Sequence, residues 1–265
     1  MSPTISIRSR SLRLAGERLE PRLALAVAVT GTSGVFGYSR SATDVTITSV
    51  DSRFQPLLTV PDTIDGLPVT SIAPLALQDY NGPRVAIPAT IHTIGDGAFS
   101  RCRLAWVEVA ADNPTFTSRE GVVYDRSMSR LCAVPGGRGG VFTVPQGVSV
   151  IGSAAFFECA SLEAVELPAG VTTIEDSAFS GCLGLTSIDL PETLETLSSL
   201  AFAWSRSLVS ISIPAGVSLV ADNAFLGCEG LYTIDVADGN PFYADADGLL
   251  LDSGWWRVLP GGRGP

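Results

Sequence analysis

Four cysteines stand in one register along the chain. Cys102, Cys159, Cys182 and Cys228 occupy the same place in a recurring pattern, and Ser205 takes that place in the remaining copy. A file of thiols suggests a ladder of disulfides or of metal ligands. Coils one strand spacing apart, about 4.8 Å, would bring Cys159 and Cys182 within reach of a disulfide. The fifth cysteine, Cys132, makes the count odd, and no C-x-x-C pair occurs. Neither fact suits a disulfide or zinc framework. A small buried group stacked on its neighbours accounts for the cysteines and the serine alike, because free cysteine packs as a small hydrophobe.

Other reactive residues are sparse. The single histidine, His92, lies between Ile91 and Ile94 at a position expected to face solvent. No serine or cysteine beside it has a motif context, so a surface residue is expected rather than a general base. The phosphate-binding, dinucleotide-binding, zinc-protease and serine-hydrolase signatures are all missing from the chain. Gly136, Gly137, Gly139 and Gly140 around Arg138 resemble a phosphate cradle, but a strand follows (Val141 to Val144), not a helix, so a turn is expected. Asp245, Asp247 and Asp252 lack the downstream glutamate of a helix-loop-helix calcium site. No enzyme, cofactor or metal centre is expected.

Carboxylates are left as the recognition chemistry. Two residues before the proline position of successive coils runs an outward row: Thr59, Ala86, Glu108, Thr143, Glu166, Asp189, Ser212 and Asp235. The row two residues earlier holds Leu57, Arg84, Trp106, Val141, Ala164, Ser187, Ser210 and Thr233. Glu108, Glu166, Asp189, Asp235 and Trp106 therefore form the candidate partner-binding site, suited to a basic or sugar-bearing partner. An ordinary solvated face would carry the same residues, since carboxylates about 5–10 Å apart repel only modestly through salt.

A strict period positions these groups. Phe156, Phe179, Phe202 and Phe225 are 23 residues apart, as are Pro145, Pro168, Pro191 and Pro214. Leu162, Leu185, Leu208 and Leu231 keep the same spacing, with Ile151, Ile174, Leu197 and Val220. Such a period marks a solenoid, in which each coil buries its apolar face only by stacking on its neighbours into one continuous core. Within a coil, Val165 and Leu167 alternate with Ala164 and Glu166, so a strand is expected there. Proline, which has no donor for the ladder, ends it. Val171 and Ile174 form a second inward edge, and the Ala-Phe pair is expected on a short helical turn.

One longer unit breaks the period. Phe99 to Phe156 is 57 residues, or 34 more than a coil. Its extra piece, Asn113-Pro114-Thr115-Phe116 with Gly121 to Asp125, recurs 127 residues later as Asn240-Pro241-Phe242-Tyr243 with Gly248 to Asp252. Each piece reads as a β-hairpin whose turn opens on Asp125 or Asp252. Both copies end on Pro-Gly-Gly-Arg-Gly, at Pro135 and Pro260. The last coil, with Trp255 and Trp256, has no following strand, so self-association through it, or a place in a longer array, is expected.

Three parts follow: residues 1–34 as an export signal or disordered tail, 35–56 as capping strands, and 57–265 as the repeat array. The first holds Arg8, Arg10, Arg13, Arg18 and Arg22, then an apolar run from Leu23 to Val29, then small residues, the order of a secretory signal. That seven-residue run is far short of the roughly 20 that span a bilayer. The net charge is −10; residues 1–30, with five arginines and two glutamates, carry +3, so the rest carries −13. An acidic array is not drawn to phosphate backbones, which argues against nucleic acid.

The A-F-x-x-C units at Phe99, Phe156, Phe179 and Phe225, the variant at Phe202, the opening from Val60 to Ile72, and Asp112-Asn113-Pro114 with Gly121 to Tyr124 resemble the BspA-like leucine-rich repeat family of bacterial and protozoan surface proteins. Arg18 to Leu25 resembles the LEPR-type segment of exported planctomycete proteins. The first resemblance covers about residues 36–265. It implies an α/β-class, curved, β-rich leucine-rich-repeat solenoid with two longer hairpin-bearing units. It also implies an exported, cell-surface, adhesion-type binding module for a protein or surface glycan. The alternative is a structural part of the cell envelope that assembles through open solenoid ends.

Overall fold

The computed structural model describes residues 29–51, 55–246 and 249–252. The leading arginines, the C-terminal Pro-Gly-Gly-Arg-Gly, Asp247, Trp255 and Trp256 lie outside the described residues. The chain begins as a cap of β1 (Val29–Ser33), β2 (Phe36–Arg40) and β3 (Val45–Val50), joined antiparallel. The first strand thus starts inside the segment that sequence reading gave to the export signal or tail. The array follows with β4 (Leu58–Thr59), β5 (Thr63–Ile64), β6 (Leu67–Ile72), β7 (Arg84–Ile87), β8 (Thr93–Ile94) and β9 (Trp106–Val109). An antiparallel meander comes next: β10 (Phe116–Arg119), β11 (Val122–Asp125) and β12 (Arg130–Ala133). The regular coils contribute β13 (Gly140–Thr143), β14 (Val150–Ile151), β15 (Leu162–Glu166), β16 (Thr173–Ile174) and β17 (Thr196–Leu197). After them come β18 (Ser210–Ile213), β19 (Leu219–Val220) and β20 (Thr233–Val236), then the hairpin β21 (Tyr243–Ala246) with β22 (Leu249–Asp252).

Pairing between coils is parallel and keeps the sequence period. Val150 pairs with Thr173, Thr173 with Thr196, and Thr196 with Leu219. Beneath them the phenylalanines stack. Phe156, Phe179, Phe202 and Phe225 are buried, with successive ring centroids 4.7, 5.1 and 5.8 Å apart and planes within 13° of parallel. Burying each ring contributes roughly 1.5–3 kcal/mol, and the stacking adds about 0.5–1.5 kcal/mol per pair.

No helix forms among the described residues, and the backbone hydrogen bonds give the reason. Through the Ala-Phe segment, amides alternate between two destinations. Ala178, Ser180 and Cys182 donate back within their own turn, to Glu175, Ser177 and Phe179. Ser177, Phe179 and Gly181 donate instead to Ser199, Ala201 and Ala203 of the next coil. An α-helix would claim every amide for itself and leave the coil without lateral bonds. The alternation needs left-handed backbone two residues before and after the phenylalanine, as at Ser177 (φ 57°) and Gly181 (φ 73°) around Phe179. Ala154, Glu158, Leu200 and Trp204 repeat it in the neighbouring coils.

The expected continuous core is in fact two. The meander stands between them, and its strands give alternate side chains to each side. Val122, Tyr124 and Leu131 join the core of the later coils, whereas Phe116, Val123 and Ala133 join the core that reaches back to Val45 and Ile47 of the cap. A strand with both faces covered must be apolar at every position, and Val122, Val123 and Tyr124 are all buried.

One ion pair fastens the meander to the later coils. Both guanidinium nitrogens of Arg130 on β12 meet the two carboxylate oxygens of Glu175, which follows β16. The amide and hydroxyl of Ser153, in the intervening coil, also donate to Glu175 at 3.1 and 3.0 Å. Burial disfavours the carboxylate, but the Arg130 guanidinium and the Ser153 donors outweigh it and hold the Glu175 pKa below its usual value of 4.5.

Two expectations follow. Phe179→Ala will lower stability by about 3–5 kcal/mol, with the loss centred on its own and adjacent coils. Denaturant titration with hydrogen exchange checks this, and an unchanged midpoint would contradict the buried stack. Glu175→Gln will lower stability at neutral pH by about 1.5–3 kcal/mol, the range for hydrogen bonds to charged groups. Because the folded pKa is depressed, this contribution is present above the unfolded value and fades as pH falls through the folded one. Parent and variant midpoints should therefore converge in acid.

Candidate functional site

The cysteine file is a hydrogen-bond ladder. Cys182 donates its thiol to the Phe156 carbonyl of the preceding coil at 3.1 Å, and Cys228 donates to Phe202 at 2.9 Å. Ser205 makes the same bond to Phe179 at 2.7 Å. The position thus requires a small buried donor, which explains why serine replaces cysteine there. Cys159, whose preceding coil is interrupted by the meander, reaches Val134 at 3.9 Å, and Cys102 bonds within its own coil, to Phe99 at 3.0 Å. All five thiols are free. Burial raises the Cys159 pKa to about 12 and that of Cys228 to about 11. The thiolate, which is the nucleophile and metal ligand, is therefore suppressed. No cluster of metal-ligating side chains occurs among the described residues.

The remaining reactive candidates are engaged structurally or exposed. The amides of Gly136, Gly137 and Gly140 donate to Phe99, Leu104 and Ser161, so they brace adjoining coils instead of cradling an anion. His92 is exposed, with Nδ1 3.4 Å from the Thr115 hydroxyl. Asp125 opens the β11–β12 turn and accepts from the Ser129 hydroxyl and the Arg130 amide at 3.1 and 2.8 Å.

The proposed recognition row is present but not continuous. Thr59, Ala86 and Glu108 are register partners on β4, β7 and β9. After β9 the meander intervenes: the Val107 amide bonds Gly121 and the Val109 amide bonds the Ser118 hydroxyl. The row resumes with Thr143 opposite Glu166 on β13 and β15 and ends with Ser212 opposite Asp235 on β18 and β20. Glu166, Asp189 and Asp235 therefore share one stretch of the face, and Glu108 with Trp106 sits beyond the meander. The repeat alone does not reveal this, because the inserted residues are counted out when the coils are aligned.

The two groups differ in their electrostatics. Glu108 is 3.5 Å from Arg84, whose guanidinium also lies 5.9 Å from the centre of the Trp106 ring. Trp106 rests against the meander, where a Cβ at Gly121 would fall 2.7 Å from the indole. Glu166 accepts from Thr143 at 2.7 Å and Asp235 from Ser212 at 3.3 Å. These hydroxyls bind each carboxylate without neutralising it. Asp189 lies in a segment that forms no strand, beside Ser210–Ser212 of β18. A cavity of about 190 Å³ opens there between Ser187–Leu190 and Ser210–Ser212. Sequence reading also missed a cavity of about 400 Å³ where Asp62 and Asp112 join Glu108. Both carboxylates lie just beyond the strand ends, outside the row that alternation singles out.

Parallel coils, a stacked aromatic spine and an open polar strand face define a leucine-rich-repeat solenoid of the kind that presents a surface to a partner. The BspA type leucine rich repeat region matches residues 68–119 and 141–243, in six copies. The chain belongs to that family. Among solved structures, a leucine-rich repeat protein from Eubacterium ventriosum is similar at 17% identity and a TM-score of 0.56, over 86% of this chain and 83% of that one. The pneumococcal vaccine antigen PcpA is similar at 15% identity and a TM-score of 0.55, over 80% and 82% of the two chains. At such identities the likeness shows the fold. No curated protein matches the chain.

Cys182→Ser should therefore leave stability nearly unchanged. Cys182→Ala should cost about 1 kcal/mol, the net value of a hydrogen bond. In the native protein Cys159 and Cys182 should resist iodoacetamide until the coils unfold. Rapid native labelling would show the ladder to be open.

Proposed function

We propose that the chain is an exported, non-enzymatic binding module whose strand face around Glu166, Asp189 and Asp235 takes a basic segment of a partner protein. The observation that carries this reading is the alternation along β15 and β20. Val165 and Ile234 are buried, whereas Glu166 and Asp235 beside them are exposed, held toward solvent by hydroxyl partners. Serine and threonine flank them at Thr143, Ser187, Ser210 and Thr233, so a partner can approach closely. Unneutralised carboxylates on such a face steer cationic segments toward it.

Export and a place at the cell surface are supported by the arginine-rich, then apolar, leading segment and by the family. They are also supported by the fold shared with a pneumococcal vaccine antigen. Among the described residues no helix is long and apolar enough to cross a membrane.

The test is binding of a synthetic arginine- and lysine-rich peptide, and pull-down from a cell-surface extract, across a salt series. Affinity should fall as salt rises. The triple variant Glu166→Gln, Asp189→Asn, Asp235→Asn should lose about tenfold or more, chiefly through slower association. Binding that ignores both salt and these substitutions would place the partner elsewhere.

A further inference from the structure

On the turn edge of the array, two residues after each phenylalanine, lies a file of left-handed positions. Gly181 and Gly227 occupy two of them, and glycine takes this conformation without steric penalty. Between them stands Trp204, at φ 56°. The left-handed backbone is what the coil itself requires, and Arg101 (φ 49°) and Glu158 (φ 55°) adopt it in the same file; what sets Trp204 apart is the large ring it projects from that edge. The indole is 44% exposed, in a chain whose phenylalanine spine is fully buried.

Its setting is that of a fixed platform. A Cβ at Gly227 would fall 2.5 Å from Cδ1 and 2.8 Å from Nε1 of Trp204, so one part of the ring rests on the Gly227 backbone. The Trp204 amide is tied to the Leu226 carbonyl at 2.7 Å. The coil on the other side contributes Gly181 and the exposed Leu183, and a groove of about 550 Å³ opens along these coils. That volume lies in the range of small-ligand sites, about 300–1,000 Å³.

The charges at the groove are balanced internally. Arg101 pairs with Glu158 at 3.0 Å, and Arg206 pairs with Glu229 at 3.8 Å. Neither arginine is left as an uncompensated cation for an acidic ligand. The apolar surface at the groove is the Trp204 indole with Leu183 and Ala160, too little for a stable protein interface, which buries about 800 Å² on each partner. A flat aromatic face beside paired, hydrogen-bonding charges suits a ligand with a C–H face and a rim of neutral hydroxyls.

We propose that the groove around Trp204 is a second binding site, separate from the acidic strand face, and that it takes a neutral oligosaccharide. One sugar ring lies with its C–H face on the Trp204 indole and beside Leu183. Its hydroxyls reach the arginine N–H groups and the Glu158 carboxylate at the groove margins. The signal is legible in the repeat once its role is known: an aromatic stands at a place where adjoining copies carry glycine.

The experiment titrates the full chain with neutral hexasaccharides (a β-1,4-glucan, a β-1,4-linked N-acetylglucosamine chain and an α-1,6-mannan), read by calorimetry and tryptophan fluorescence. One or more should bind. Trp204→Gly should weaken binding by about tenfold or more, in line with loss of one aromatic contact. The melting temperature should hold or rise, because glycine suits the left-handed backbone. Trp204→Tyr should retain part of the affinity, and the triple variant of the acidic row should retain all of it. The proposal is overturned if the parent binds none of these sugars at millimolar concentration, or if Trp204→Gly binds as the parent does. It is equally overturned if acidic polysaccharides are preferred, or if Trp204→Gly abolishes a protein contact or self-association instead.

Discussion

The rest of the structure depends on one requirement: each coil must hand about half of its turn amides to the next coil. Ser177, Phe179 and Gly181 donate forward, and Ala178, Ser180 and Cys182 donate back within their own turn. This division prevents a helix, demands left-handed backbone on both sides of the phenylalanine, and sets the coil spacing. At that spacing the rings of Phe156, Phe179 and Phe202 lie 4.7 and 5.1 Å apart, close to the strand separation of about 4.7–4.9 Å. Backbone bonds and aromatic packing therefore favour the same pitch, and agreement between levels of this kind is what makes a repeat foldable. The thiol and hydroxyl donors of Cys182, Ser205 and Cys228 add a further bond per coil in the same register.

The meander changes what the array can do. It enters between β9 and β13, places alternate side chains in two cores, and interrupts the strand face at the same point. Seen from the sequence, Glu108 is two steps along the row from Glu166. In the fold it belongs to the earlier coils, paired with Arg84 and near Asp62 and Asp112. Arg130, Ser153 and Glu175 then bind the meander to two later coils through one polar cluster. A module that walls off two cores still needs a fastening across the wall, and a bidentate ion pair supplies it with defined geometry.

Most of the fold was legible in the sequence because its period is carried by residues with one physical role each. Phenylalanine fills the coil, proline ends the strand, and leucine or isoleucine turns inward. The inside and outside of β15 follow from Val165 and Glu166 alone. What could not be read was the destination of backbone amides. The Ala-Phe segment has adequate helix formers, and only bonding to the neighbouring coil overrides them. The same limit hid the meander's place between Trp106 and Val141, since side-chain type does not say which strand edge a long insertion will cover. The cysteine file was legible as buried but not as bonded, because a thiol's acceptor lies 26 residues away in the preceding coil.

These constraints also locate where function can vary. Inside the coil nearly every position is committed to packing, to a lateral bond or to a left-handed turn. The free positions are the exposed residues of the strand face and the side chains projecting from the turn edge. The two surfaces follow different rules. On the strand face side chains alternate, so a recognition row is spaced by the coil pitch and reads as a line of small and acidic groups. On the turn edge the backbone is left-handed, and the fold imposes that conformation on glycine (Gly181, Gly227) and on larger residues (Arg101, Glu158, Leu200) alike. A residue type on the strand face therefore says little about function by itself, whereas on the turn edge the informative feature is a large apolar ring left open to solvent. Trp204 meets that criterion, because its ring is 44% exposed while every phenylalanine of the spine is buried, and no residue of the acidic row exposes a comparable apolar surface.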